Sequence, residues 1–355
     1  MAATEMEVEE QQQQPNSNST SFKRFGLKNS IQTNFGDDYV FQITSREDWS
    51  AMAVSLSNNL VKLYSPTTGQ YIGECRGHTS TINEIAFADS SSPHLLLSCS
   101  SDATIRAWDT RNLQQILIWD WRNKKQVACL EESHVEDVTQ VRFVPGTQNK
   151  LISASVDGLM CLFDTAGDIN DDDHLYSVMN VGTSIGKIGF FGQDHEKLWC
   201  LTHIETLSVW DWKEEKVVAD FQEARSLASE SWVQDHVDYF IDCHCSSEDD
   251  RLWVIGGTNS GTIAYFPVNY NGRVMSSPEA ILEGGHAGIV RSILPASGLP
   301  RQSSNNGMFG WTGGEDGRLC CWMSDATSDL NRAWISSSLA VKPSKTRKKT
   351  RHQPY

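Results

Sequence analysis

The sequence predicts an all-β fold assembled from repeated four-stranded units, and three observations carry that prediction. A strand closing on an aromatic residue returns along the chain: SSDATIRAWD at 100–109, SVDGLMCLFD at 155–164, THIETLSVWD at 202–211 and GEDGRLCCW at 314–322. Weaker copies are SNNLVKLYS at 57–65 and NSGTIAYFP at 259–267. The segments between are short runs with period-2 alternation, such as SAMAVSLS, LISASV and LWVIGG, broken by Gly, Asn, Asp and Ser; such runs read as strands. No long segment of helical period competes, although 222–236 (QEARSLASESWVQDH) can form a short helix.

The interval between copies fixes the unit. The closing aromatics are Tyr64, Trp108, Trp119, Phe163, Trp210, Phe266 and Trp322, separated by 44, 11, 44, 47, 56 and 56 residues. A period of about 40–45 residues signals stacked four-stranded units. Eleven residues cannot hold one. Seven aromatics therefore imply a seven-unit pattern whose third member is a remnant at 114–131, leaving six complete units. QQILIWDWRNKKQVACL matches the third and fourth strands of that member, and some thirty residues before them are missing. The remnant is expected to pack beside the second unit, because uncovered sheet edges invite aggregation. Residues 24–32 (RFGLKNSIQ) are expected to supply the outer strand of the last unit and close the ring.

Charge divides the chain. Residues 342–351 (KPSKTRKKTR) hold six Lys or Arg, and the first twenty hold four Glu and no base. The body at 21–341 carries 24 basic and 41 acidic residues, a net charge of −17. So acidic a body argues against a phosphate-binding face, so RNA can be met only through the tail. Three parts are expected: an acidic, Gln-rich and disordered 1–21, the β domain at 22–325, and an extension at 326–355 ending in the basic run. MAATEMEVEEQQQQ has no apolar core, so it is no secretory leader, and no apolar run reaches membrane-spanning length. Nine cysteines without a leader imply free thiols in a reducing compartment, the nucleus or cytoplasm.

These strands and their spacing resemble the WD-repeat (WD40) β-propeller family over roughly 22–325. The resemblance implies a hydrogen-bonded set in each blade: His in the entry loop, Ser or Thr on the second strand, Asp in the next turn, Trp on the third strand. By motif match the second unit has His78, Ser98, Asp102 and Trp108, and the last has His286, Thr312, Asp316 and Trp322. The fourth has His134, Ser153 and Asp157, with Phe163 in place of Trp. Buried polar groups of this kind satisfy one another. Asn58, Ile204 and Ser260 stand where Asp is expected in the first, fifth and sixth units, which must rely on apolar packing.

Other constellations point to chemistry weakly. His–Asp pairs can act as acid and base, but catalysis does not need equivalent copies at matched repeat positions. Cys243-His244-Cys245 and Cys320-Cys321 lack the second ligand pair of a zinc site, and on a strand Cys320 and Cys321 point to opposite faces. DINDDDH at 168–174 does not fit a calcium loop and reads as a solvated turn or an acidic docking patch. No phosphate-binding or nucleophile motif is present. The chain reads as a non-enzyme, with no cofactor or metal, and as a monomer.

Two sequence features point to partners. Trp108-Asp109-Thr110-Arg111 and Trp119-Asp120-Trp121-Arg122 match WD-x-R, and Trp210-Asp211-Trp212-Lys213 is a Lys variant. They resemble the box by which WD-repeat substrate receptors dock on a cullin-ligase adaptor, so Arg111, Arg122 and Lys213 are candidate docking residues; a surface Arg paired with a neighbouring acid is the plainer reading. Lys345, Arg347, Lys348, Lys349 and Arg351 form a candidate nuclear or nucleolar targeting run. HVEDVTQVRF, NVGTSIGKIGF, LWCLTHIETLS, DYFIDCH and GRLCCW further resemble the WD repeat-containing protein 89 group, which includes a plant growth regulator. That resemblance implies a scaffold for other proteins in growth control, with ribosome-assembly factors as candidate partners; a ubiquitin-ligase substrate receptor is the alternative.

Overall fold

The computed structural model describes residues 23–33, 38–88, 92–102, 104–111, 114–117, 133–147, 149–164, 175–245, 250–296 and 308–324. Within them the regular elements are 25 strands and one short helix. After β1 (Lys23–Gln32) the strands fall into consecutive antiparallel meanders. Blade one is β2 (Val40–Ser45), β3 (Met52–Leu56), β4 (Val61–Tyr64) and β5 (Tyr71–Cys75). Blade two is β6 (Ile82–Phe87), β7 (Leu95–Ser100), β8 (Thr104–Asp109) and β9 (Gln114–Leu117). Blade three, which holds His134, is β10 (Val138–Phe143), β11 (Lys150–Ser155), β12 (Leu159–Asp164) and β13 (Leu175–Asn180). Blade four is β14 (Ile185–Phe191), β15 (Lys197–Thr202), β16 (Leu207–Asp211) and β17 (Lys216–Phe221). The helix α1 (Ala224–Ser231) follows, inside the segment of helical pattern.

Blade five is β18 (Tyr239–Cys245), β19 (Leu252–Gly257), β20 (Ile263–Asn269) and β22 (Ala280–Leu282), with the short β21 (Val274–Met275) also on β20. Blade six is β23 (Val290–Pro295), β24 (Met308–Gly314) and β25 (Arg318–Ser324). Its fourth strand is β1, antiparallel to β25 with Leu27 opposite Trp322 and Ile31 opposite Leu319. The N-terminal segment thus closes the arrangement as the sequence predicts. It does more: Lys23, Arg24 and Phe25 also pair in parallel with Ala280, Ile281 and Leu282, which joins blades five and six in one nine-stranded sheet.

The architecture is all-β and propeller-like. The described residues form six four-stranded units, and no seventh is seen among them. Gln114–Leu117, assigned from sequence to the third-unit remnant, is blade two's own outer strand, with Gln115 opposite Trp108. The physical reason is length: the chain leaves Asp109, turns once and returns along β8, which otherwise lacks its fourth strand. The rest of the remnant, 118–131, lies outside the described residues, as do 1–21 and 326–355.

Turn chemistry explains the repeat signature. Among the described residues, the turn before the third strand holds one residue in the left-handed region in blades one, three, four, five and six. Gly158 takes it at φ 83° in SVDGL and Gly317 at φ 68° in GEDGR, where glycine has no Cβ to clash. Asn59 at φ 65° and Glu205 at φ 64° hold the same place in blades one and four.

The core lies between blades, because each sheet has two apolar faces. Ala53, Val61, Leu63 and Cys75 of blade one pack on Ile82, Ile85, Leu96 and Trp108 of blade two. Ile152, Ala154, Met160 and Leu162 of blade three pack on Ile185, Ile188 and Trp210 of blade four. Similar cores join blades four and five, five and six, and six and one. Each of these five seams also carries a hydrogen bond to the next inner strand. The Gln42 side-chain carbonyl accepts from Ile85 N–H at 2.8 Å, Gln140 from Ile188 N–H at 2.8 Å, and Ser292 Oγ from Ile43 N–H at 2.9 Å. Tyr239 Oη accepts from Val290 N–H at 2.7 Å. In blade four the matching side chain is Lys187, which cannot accept. It donates to Ile241 O at 2.6 Å, and Glu205 takes the Phe240 N–H at 2.6 Å instead.

The seam between blades two and three differs. No core of the described residues spans it. Glu84, which holds the place of Gln42 and Gln140, accepts no hydrogen bond from blade three among the described residues. Replacing Gln140 with Ala should therefore cost about 1–3 kcal/mol by orphaning a buried N–H, whereas Glu84→Ala should cost close to nothing; urea unfolding of the two variants checks this, and equal losses would contradict it.

Candidate protein-interaction surface

The predicted polar sets are assembled as side-chain chains. In blade two, His78 Nδ1 lies 2.9 Å from Asp102 Oδ2 and its Nε2 lies 2.7 Å from Ser98 Oγ, which also accepts from Trp108 Nε1 at 2.9 Å. Blade six repeats this. His286 sits 3.0 Å from Asp316 and 2.7 Å from Thr312 Oγ1, and Trp322 Nε1 donates to the same oxygen at 2.7 Å. In blade three His134 is 3.0 Å from Asp157 and 2.6 Å from Ser153, and Phe163, without a ring N–H, ends the chain there. Each Asp also caps the entry loop: Thr79, Val135 and Ala287 donate their backbone N–H to Asp102, Asp157 and Asp316 at 3.0, 3.1 and 2.9 Å. The set ties an entry loop on the rim to the second and third strands.

These bonds set the carboxyl acidity. Burial raises the Asp102 carboxyl, but the Thr104 hydroxyl, the Thr79 N–H and His78 outweigh it and hold the group well below the usual range. Asp316 and Asp157 are lowered in the same way, burial being offset by bonds from His286 and Ala287 in one and from Leu159 N–H and His134 in the other.

The blades lacking Asp use substitutes. Asn58 donates to Asp38 Oδ2 at 2.6 Å in blade one. Thr202 and Thr206 hydroxyls meet at 2.7 Å in blade four, where Ile204 is an exposed turn residue and Trp210 donates to Ser208 at 2.8 Å. In blade five Ser260 shares a 2.8 Å hydroxyl bond with Thr258. Sequence reading missed Gln42, Gln140, Ser292, Tyr239 and Glu205. A signal for three of them is present: VFQI, VTQV and VRSI place the polar residue at the same step of the inner strand.

Arg111 is exposed on the rim, and its guanidinium is turned onto Asp109, Nε lying 2.9 Å from Oδ1. The bonds from Arg111 draw the Asp109 carboxyl down to about 2. Lys213 lies over the Trp212 ring at 5.6 Å. Arg122 lies outside the described residues. Lys345, Arg347, Lys348, Lys349, Arg351 and the DINDDDH loop lie outside them too. Cys320 packs in the core between blades five and six and Cys321 in that between six and one, on opposite faces. Burial raises both thiols to about 12, the thiol form of an apolar core residue.

The inner strands of all six blades enclose a central cavity of about 570 Å³, lined in part by Gln42, Glu84, Arg142, Lys187, Asp242 and Arg291. Lys187 lies 3.4 Å from Asp242. The channel mixes both signs of charge, with amide, carboxylate and guanidinium groups on its wall.

Comparison with known proteins agrees with this geometry. Residues 69–109 match the family model "WD domain, G-beta repeat", which spans the end of blade one and most of blade two. The chain is 58% identical to WD repeat-containing protein GTS1 of Arabidopsis thaliana, covering 99% of this chain and 98% of that protein. The chain is a WD-repeat protein. This WD-repeat protein is also 31% identical to the WD repeat-containing protein 89 homolog of Dictyostelium discoideum, over 73% of this chain and 78% of the relative. Membership carries the general reading of a propeller that binds other proteins. The alignment with the Arabidopsis relative runs over 388 positions against 355 residues here, so at least 33 positions have no counterpart in this chain. The repeat period finds some thirty residues missing, a similar number.

Asp316→Ala should destabilise the protein more than Ser260→Ala, because it orphans His286 and two backbone N–H groups, at about 1–3 kcal/mol per group; thermal unfolding checks this, and equal shifts would contradict the network. The lowered carboxyls also set a pH window. A folded value below the ordinary 3.8 gives stability that is complete above that value and is lost as pH falls through the folded one. The melting temperature of Asp316→Asn should therefore fall less steeply than wild type below about pH 4, and parallel slopes would contradict the assignment.

Proposed function

We propose that this WD-repeat protein is a non-enzymatic scaffold in growth control, linked to ribosome biogenesis and working in the nucleus and cytoplasm. The observation that carries the reading is the pairing of an acidic body, net −17 over 21–341, with six basic residues in 342–351. An acidic disc repels phosphate and attracts basic proteins such as those that assemble on RNA, while a short basic run serves as an address or a contact with RNA. The polar rim and mixed channel suit polypeptide ligands, since binding function in such folds resides on loops held by a rigid frame. The resemblance to the WD repeat-containing protein 89 group supports the growth-control part. The protein acts as a monomer that presents several faces.

A ubiquitin-ligase receptor is the second reading, supported by the exposed Arg111. It ranks second because Arg111 directs its donors to Asp109. Affinity purification from nuclear extract with and without 342–355 separates the readings. Ribosomal or nucleolar proteins should be captured by the full chain and lost with the tail, and Arg111→Ala should leave that capture unchanged. Capture of a cullin adaptor that Arg111→Ala abolishes would overturn the first reading in favour of the second, and no enrichment of nucleolar proteins would sink the first.

A further inference from the structure

The inner strand of every blade presents two apolar residues to the blade before it. In blades one, two, four and six these are Val40 and Ile43, Ile82 and Ile85, Ile185 and Ile188, and Val290 and Ile293, all of them buried. Their counterparts in blade three are Val138 and Val141, which are 50% and 44% exposed. Phe143, two residues on, is 68% exposed, whereas Phe87 and Phe190 at that place pack against the seams of blades two and four. The facing wall shows the same defect. Val61, Met160 and Leu207 project from third strands towards the following blade and are fully buried; Ile105, their equivalent in blade two, is 57% exposed.

The polar half of the seam is open as well. Glu84 stands where Gln42 and Gln140 accept the next blade's inner N–H, and among the described residues nothing donates to it. Val141 N–H stands where Ile43, Ile85 and Ile188 N–H donate to the preceding blade. No acceptor faces it among the described residues. The two walls thus want complementary things: blade two an N–H donor at Glu84, blade three an acceptor at Val141, and both an apolar filling. A single β-strand supplies all three, with a backbone N–H on one side, a Gln- or Ser-like side chain on the other, and apolar residues at alternate positions.

We propose that the seam between blades two and three is an acceptor site for a β-blade contributed by a second polypeptide, inner strand first. The occupant is a blade, not a lone helix or a charged tail, because both walls present the pleated face and the hydrogen-bond step that the other five seams use to hold a blade. The inference is independent of the growth-control reading, since it concerns a different surface and needs neither the tail nor the rim. Its partner class follows from the walls: a β-meander of one repeat length with an amide or hydroxyl side chain on its inner strand.

The probe is one WD-repeat blade of the Arabidopsis relative, whose alignment holds at least 33 positions without a counterpart in this chain, fused to a soluble carrier and titrated into the full chain by calorimetry. One-to-one binding with a raised melting temperature is expected. Phe143→Asp and Ile105→Asp, on opposite walls, should each weaken binding at least tenfold, while Val233→Asp, a 97% exposed apolar residue just after α1, should leave it unchanged. Both wall residues are exposed, so the variants should melt like wild type, and either one alone suffices if the other fails to fold. Failure to bind, or binding that ignores both wall substitutions, would overturn the proposal. So would self-association of the chain alone that Phe143→Asp abolishes, which would give the seam to a second copy.

Discussion

A propeller blade cannot stand alone, because both faces of its sheet are apolar and each must be covered by a neighbour. That constraint organises this molecule. Burying one Val, Ile or Leu side chain contributes roughly 1.5–3 kcal/mol, and each of the five closed seams buries a set of them from both partners. The inner-strand hydrogen bond adds direction to this non-directional force: it fixes the step at which one blade meets the next. Blade four shows how firmly the step is held. With Lys187 unable to accept, Glu205 takes over the N–H of Phe240 from a left-handed turn position, although burial raises its carboxyl.

The polar sets and the terminal strand serve the same constraint from the rim. Where His, Ser or Thr and Asp are complete, in blades two, three and six, the entry loop is tied to its own sheet. Blade six needs this most, for it is built from the two ends of the described chain. The parallel pairing of β1 with β22 adds a second attachment, so the closure joins two blades as well as completing one. Blades one, four and five lack the set and hold their turns with shorter links such as Asn58 to Asp38.

Much of this was legible in the sequence because the signals are local and repeated. The Trp-Asp strands and the opposite facing of Cys320 and Cys321 follow from strand periodicity, and the His–Ser–Asp sets from the resemblance to the WD-repeat family. The terminal clasp was legible because a WD-repeat ring is expected to close with a strand from the other end of the chain, whereas its second pairing, with β22, was not. What escaped was the content of the seams. Gln42, Gln140 and Ser292 are ordinary polar residues on a strand until the next blade is placed beside them. Tyr239 and Glu205 act from positions the repeat does not mark. Gln114–Leu117 was misassigned because the third-unit match was judged by its closing aromatic, whereas the need of β8 for an outer partner decides the pairing.

The eleven-residue interval that first breaks the repeat thus has a structural counterpart in the seam between blades two and three, which no core of the described residues spans. Blade three turns towards blade two a face that leaves Val138, Val141 and Phe143 exposed. Amide hydrogen exchange of the chain alone tests it most directly. Val138–Phe143 should exchange much faster than the matching strands Ile82–Phe87 and Ile185–Phe191. Equal protection of all three strands would show the seam closed and contradict the account.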